Sequence, residues 1–170
     1  MTISTCELPS VALLRPYRGD DNYSDCFSTR VNGQVEPADY FQAFLTSWLF
    51  GLERRILAVA VNKPSSDTQA ADLARGRIET FSAWRVEARK KEQLLLADFQ
   101  GNTRTWLMAQ PELTGSSGFT RLYFGSAVLA QTDPATGDRR ISRGFRAILG
   151  FHRTYSRALL NAAVKRLPVA

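Results

Sequence analysis

The 170-residue chain has two cysteines and one histidine. Cys6 and Cys26 are too few for a disulfide framework. Neither lies in a C-x-x-C pair or a Cys/His cluster, so no structural zinc is expected. The sequence leaves a Cys6–Cys26 bridge open, and a reducing cytosol favours two thiols. His152 must carry any chemistry that needs an imidazole. There is no G-x-G-x-x-G, no phosphate-binding P-loop and no G-x-S-x-G, so no nucleotide cofactor is expected and no nucleophile elbow can be named. No apolar run reaches the roughly 20 residues of a membrane span, since Glu53, Arg54 and Arg55 interrupt the best candidate, Phe41 to Val61. The first residues lack the basic, apolar and small-residue order of a secretory leader. A soluble, cytoplasmic protein without a membrane partner is the expectation.

Length and composition then point to one domain spanning residues 1–170, with 44% hydrophobic and 22% charged residues, close to globular averages. The net charge of +6 is unevenly placed. Arg139, Arg140, Arg143, Arg146, Arg153, Arg157, Lys165 and Arg166 form the basic C-terminal segment, which has no acid, whereas residues 1–138 hold 14 basic and 16 acidic side chains. The cations surround the last helix without clustering and accompany no nucleic-acid motif, which argues against a nucleic-acid partner. They suit a solvated face paired to acids elsewhere, or the docking of an acidic partner.

Periodicity organises the chain. A strand is expected over Asp25–Val31, stopped by Asn32-Gly33. From Pro37, Tyr40, Phe41, Phe44, Leu45, Trp48, Leu49, Leu52, Ile56, Leu57 and Val59 recur at spacings of three and four. This pattern predicts one helix bent near Gly51, with Glu53, Arg54 and Arg55 on an exposed side. Ser66 or Asp67 caps a short helix through Leu73 that ends near Gly76. The period then becomes two, predicting strands over Phe81–Arg89, Gln93–Gln100, Thr103–Gln110 and Phe119–Gln131. Gly101-Asn102 reads as a tight hairpin turn, 113–118 as a loop and 133–138 as a turn. A long helix over Arg139–Leu167 closes the chain, with Ile141, Phe145, Ile148, His152, Tyr155, Leu159 and Ala163 on one face.

An amphipathic helix after an antiparallel meander buries its stripe across the sheet. The expected class is α+β, an antiparallel sheet wrapped around a long C-terminal helix with a cavity between them. Both strand faces are apolar: Leu94, Leu96 and Leu107 on one, Leu95, Phe99, Trp106 and Met108 on the other. The second face therefore needs a cover, from the helix that includes Tyr40 or from another subunit in a homodimer.

Several segments, Trp84-Arg85-Val86, Leu94 to Phe99 with Arg104 across the hairpin, and Gly144 to Arg153, resemble a bacterial family known mainly as a domain of unknown function. Its members occur alone or fused behind a Rossmann-type NAD-binding module. Where the family has a proline before Phe-His-Arg, this chain has Gly150. The resemblance implies a fold similar to START-like helix-grip proteins, which bind apolar ligands under the long helix, and implies no reaction.

Candidate site residues follow from position. His152 lies on the apolar stripe. Asp98 shares its strand face with Leu94 and Leu96, and a carboxylate there needs a partner if buried. An Asp98–His152 pair would suit proton transfer or clamp helix to sheet. Trp84, Trp106, Tyr123 and Phe124 are candidate cavity liners, joined by Phe145, Tyr155 and Arg104 as ligand contacts. The leading expectation is a binder of a small apolar or amphipathic molecule. The alternative is an enzyme of cyclase, isomerase or hydrolase type using His152 and Asp98.

Overall fold

Alternating side chains turn most of residues 80–132 into strands, and the spacing-of-three-and-four segments fold over one side of them. The computed structural model describes residues 2–19, 21–60, 62–114, 117–132, 137–141 and 149–167. Strands β1 (Ser4–Thr5), β2 (Tyr23–Asn32), β3 (Thr80–Phe81), β4 (Trp84–Lys90), β5 (Gln93–Asp98), β6 (Thr103–Thr114) and β7 (Ser117–Val128) form an antiparallel sheet ordered β1-β2-β7-β6-β5-β4-β3. β8 (Gln131–Thr132) and β9 (Arg139–Arg140) form a separate small ladder. Helices α1 (Pro37–Leu45), α2 (Trp48–Ala60) and α3 (Asp67–Ala74) connect β2 to β3, and α4 (Leu149–Val164) ends the chain. The fold is α+β with a helix-grip arrangement. Among the described residues no helix is long and apolar enough to cross a membrane.

The gripped face carries the larger core. Phe27, Leu94, Leu96, Leu107, Leu122 and Phe124 pack under Tyr40 and Phe44 of α1, Leu73 of α3, and Leu159, Leu160 and Ala163 of α4. Each large side chain fully buried there contributes about 1.5–3 kcal/mol. Tyr40 donates its hydroxyl proton to the Tyr123 carbonyl at 2.9 Å, tying α1 to β7. The opposite face is covered too, by the N-terminal segment rather than by α1. Leu8, Ala12 and Leu14 of the N-terminal segment lie over Leu95, Trp106, Met108 and Tyr123. Gln93, only 4% exposed, is the polar fastener of this layer. Its Oε1 accepts from Leu13 N and Trp106 Nε1, both at 2.9 Å, and its Nε2 donates to the Val11 carbonyl at 3.1 Å.

The strand over Asp25–Val31 and the capped helix from Asp67 are present as read. Ser66 and Gln69 form a reciprocal capping box, and Gly76 turns the chain at φ 73°. Other expectations are corrected. The helix from Pro37 is two helices, broken at Thr46-Ser47 rather than bent at Gly51. Thr46 returns its hydroxyl to the Gln42 carbonyl at 2.8 Å, and Ser47 Oγ accepts Phe50 N at 3.4 Å, local bonds that compete with helix continuation.

Glu53, Arg54 and Arg55 do not share an exposed side. Arg54 is buried, bonded to Ser65 Oγ at 2.9 Å, Asp67 Oδ1 at 2.8 Å and the Leu45 carbonyl at 3.2 Å. α2 instead exposes Trp48, Leu52, Ile56 and Val59. The strand expected from Phe81 is divided at Ser82, whose φ is 53°. The β5–β6 connection is longer than two residues: Asp98 Oδ1 accepts Thr103 N at 2.8 Å, its carbonyl accepts Gly101 N at 2.9 Å, and the loop is Phe99–Asn102. β6 and β7 run on into the segment read as a loop, pairing as far as Thr114 and Ser117. Arg139 and Arg140 belong to a strand, not to the last helix. Phe145, Ile148, Arg143, Arg146 and residues 133–136 lie outside the described residues.

Replacing Gln93 by Leu removes one acceptor from two buried N–H groups at once. The expected cost is about 1–3 kcal/mol per stranded group, measured by chemical denaturation.

Candidate functional site

The β2–β7 register places Asp25 directly opposite Ser126, and alternation turns both toward the gripped face, with Phe27 and Phe124. α4 crosses above them. Residues four apart share a helix face, so His152 and Ser156 both point down at this pair. Ser126 donates to Asp25 Oδ1 from its backbone N at 3.0 Å and from Oγ at 2.7 Å. Tyr23 OH donates to Oδ2 at 3.0 Å and Ser156 Oγ at 3.3 Å. Four donors thus meet a carboxylate that is 5% exposed. A buried charge is tolerated when its lone pairs are met in this way.

His152 Nε2 lies 2.9 Å from Ser126 Oγ and 3.7 Å from Asp25 Oδ2, with the Tyr23 ring edge-on at 5.5 Å between centroids. Ser126 has one proton, and Asp25 receives it. Oγ therefore accepts from the N–H of His152 Nε2. This order differs from a nucleophilic triad, in which the imidazole lies between serine and carboxylate and takes the serine proton. Burial lowers the His152 pKa below its ordinary 6.5, against the opposing pull of the Asp25 charge. The imidazole is neutral at physiological pH, with a proton on Nε2.

Beside this chain of bonds the sheet and helices leave a cleft of ≈ 390 Å³. Its apolar wall is aromatic. Phe44 stacks on Phe124 at 5.1 Å, Phe50 packs on Trp84 at 4.8 Å, and Phe44 meets Phe50 at 5.3 Å. Leu159 of α4 adds an aliphatic surface. A second polar pair enters from the helices, where Tyr155 OH donates to Glu53 Oε2 at 3.1 Å. Burial raises the Glu53 pKa above 4.5, although the Tyr155 bond pulls the other way. Burial, and then the Glu53 charge, push the Tyr155 hydroxyl up.

Of the residues proposed from sequence, His152, Asp98, Trp84, Tyr155 and Phe124 border this cleft. The expected Asp98–His152 pair is not formed. Asp98 is spent on the β5–β6 loop, and the carboxylate beside His152 is Asp25. Trp106 and Tyr123 belong to the opposite face, 6.0 Å apart under the N-terminal segment, because their strand parity turns them away from α4. Arg104 shares the parity of Trp106. Although it borders the cleft, its guanidinium pairs with Glu87 at 2.8 Å and lies 4.7 Å over the Tyr17 ring, whose hydroxyl also binds Glu87. Phe145 lies outside the described residues.

Sequence reasoning missed Asp25, Ser126 and Glu53. Asp25 and Ser126 gave no local signal, since Ser24, Ser28, Thr29 and Arg30 share β2 with the one, and Thr120 and Arg121 share β7 with the other. Nothing in the order of residues linked positions 101 apart. Glu53 was hidden in a charged triplet that reads as surface. Comparison with known proteins gives no match to any family model and none to a curated protein.

Two titrations follow from this geometry. Because the His152 pKa is lowered on folding, the unfolded chain binds the proton first. The His152 contribution is complete above 6.5 and declines as the pH falls below it; His152→Gln should flatten that decline in denaturation curves. The raised Glu53 pKa has the opposite consequence, since an ionised buried carboxylate destabilises the fold once the pH rises past 4.5. Glu53→Gln, which still accepts from Tyr155, should raise the melting temperature near neutral pH and give no gain below 4.5.

Proposed function

We propose that this protein binds a small apolar or amphipathic molecule in the cleft between the sheet and α4. The observation that carries this reading is the aromatic cleft itself, ≈ 390 Å³ with polar groups gathered in two places. Ligand pockets of about 300–1,000 Å³ combine an apolar lining with a few fixed polar groups in this way. Phe44, Phe50, Trp84 and Phe124 would take the apolar part of the ligand. Tyr155 with Glu53, and His152 with Ser126, would take a hydroxyl or carbonyl. The similarity of the Trp84, Leu94–Phe99 and Gly144–Arg153 segments to the bacterial family named above, and through it to START-like proteins, supports the same assignment. In this reading the protein is a cytoplasmic bacterial binder without a membrane partner.

A second reading, proton-transfer catalysis of cyclase, isomerase or hydrolase type, is favoured by one observation: a neutral imidazole and the Asp98 carboxylate border the same cleft without bonding each other. They would then act separately, His152 as the base or acid and Asp98 as an orienting group.

The test is titration with straight-chain fatty acids and fatty alcohols of graded length, followed by NMR at Trp84, His152 and Tyr155. Leu159→Phe, which narrows the cleft, should weaken binding about tenfold or more, equivalent to roughly 1.4 kcal/mol. Unperturbed resonances at all three residues across the series would overturn the assignment. For the second reading, exchange of protons next to the carbonyl of a bound ketone in deuterated water should slow about a hundredfold or more in His152→Gln. Equal exchange in variant and wild type would remove it.

A further inference from the structure

Away from the cleft, the two cysteines meet at the β1–β2 edge. The register Ser4↔Ser28, Thr5↔Phe27 continues one step to bring Cys6 opposite Cys26, whose carbonyl accepts Cys6 N at 3.0 Å. Both are free thiols, and their Sγ atoms are 3.1 Å apart. Directly opposed residues of an antiparallel pair have Cα atoms about 4.5–5.5 Å apart, within the range that a disulfide spans. A bond between these sulfurs requires no rearrangement of the strands.

The surroundings of the two thiols differ. Cys26 is 3% exposed, packed into the cluster under the N-terminal segment. Cys6 is half-buried, and both thiols border a second, open cleft of ≈ 330 Å³ that is also lined by Arg18 and Arg153. A small oxidant can reach this pair without entering the aromatic cleft.

We propose that Cys6 and Cys26 form a dithiol site that reduces hydroperoxides, with Cys6 as the attacking sulfur and Cys26 as the resolving one. The site is independent of ligand binding in the aromatic cleft. The two thiols are electrostatically unequal in the direction this requires. Hydrogen bonding from Cys26, then from Ser28, and the charge of Arg121 lower the Cys6 thiol to about 7 against the effect of burial. Cys26 is pushed up by its bond to Cys6, by burial and by the nearby Asp25 charge.

In the first step the Cys6 thiolate attacks the terminal oxygen of the hydroperoxide. An S–O bond forms, the O–O bond breaks, and the alcohol or water leaves with a proton. Cys6 is oxidised by two electrons to the sulfenic acid. In the second step Cys26 sulfur attacks Cys6 sulfur; the S–S bond forms, the S–O bond breaks, and hydroxide takes the Cys26 proton to leave as water. Two thiols and one hydroperoxide thus give one disulfide, one alcohol and one water. An external dithiol returns the pair to the reduced state by exchange. The disulfide closes the loop between residues 6 and 26 and staples the N-terminal segment to β2.

The experiment treats the full chain with one equivalent of hydrogen peroxide. The expected product is a monomer about 2 Da lighter, with both thiols lost to a thiol reagent after denaturation and both restored by dithiothreitol. Lowering a thiol from 9.0 to about 7 raises its thiolate fraction about fiftyfold near neutral pH and costs about tenfold in nucleophilicity, so Cys6 should react about fivefold faster than free N-acetylcysteine. In Cys26→Ser the reaction should stop at a Cys6 sulfenic acid that dimedone traps. Retention of both thiols, separate oxygen adducts on the wild-type chain, or a covalent dimer would overturn the proposal. Wild-type mass analysis alone decides this if the variant does not fold. Failure of the fatty-acid titration leaves the outcome untouched.

Discussion

The buried carboxylate of Asp25 is the constraint on which the arrangement of this molecule depends. Removing a carboxylate from water costs several kcal/mol unless donors replace the solvent. Here they come from three parts of the chain: Tyr23 on the same strand, Ser126 on β7 and Ser156 on α4. Satisfying one anion therefore brings the beginning of the sheet, its long central hairpin and the last helix to a common point. The position of α4 sets that of His152, Tyr155 and Leu159, and with them one wall of the aromatic cleft.

The sheet is a partition with different business on its two sides. Under α1 and α4 the apolar side chains leave an open space beside the polar chain from Asp25 to His152. On the other side Trp106, Met108 and Tyr123 are sealed by residues 8–14, and Gln93 satisfies both the tryptophan and the covering backbone. Gly125 marks how tightly this second layer is packed. A Cβ there would meet Leu14 at 2.9 Å and Trp106 at 3.0 Å. The aromatic cleft and the thiol pair are thus separate features of one sheet, approached from different directions.

The basic excess also acquires a structural meaning. Arg166 of the C-terminal segment reaches Thr46 at 2.6 Å and Asp67 at 3.9 Å, while Arg157 donates to the Ile3 carbonyl at 3.0 Å and lies 5.9 Å from the Phe27 ring centroid. Arg30 and Arg121 share Glu112. Guanidinium groups with several donors suit such bridging between backbone, carboxylate and ring. A polyanion partner is not needed to explain them.

Local signals carried the reading of the sequence as far as local physics extends. Period-two alternation found the strands, Ser66 and Gly76 delimited α3, and the apolar stripe of the last helix placed His152 and Tyr155 toward the sheet, because each of these depends on a side chain and its near neighbours. The α+β class followed from their order. Which carboxylate would meet His152 depended on β2 pairing with β7 across three helices and four strands of intervening chain, so Asp98, the nearer candidate by pattern, gave way to Asp25. The same holds for Trp106, Tyr123 and Arg104, since parity tells which residues share a face but not which face the helices cover. The type of the longer elements and the residues that share a face were thus determined by the residues themselves; the breaks and ends of those elements and the site were decided only when tertiary packing chose a side of the sheet and a partner for each buried charge.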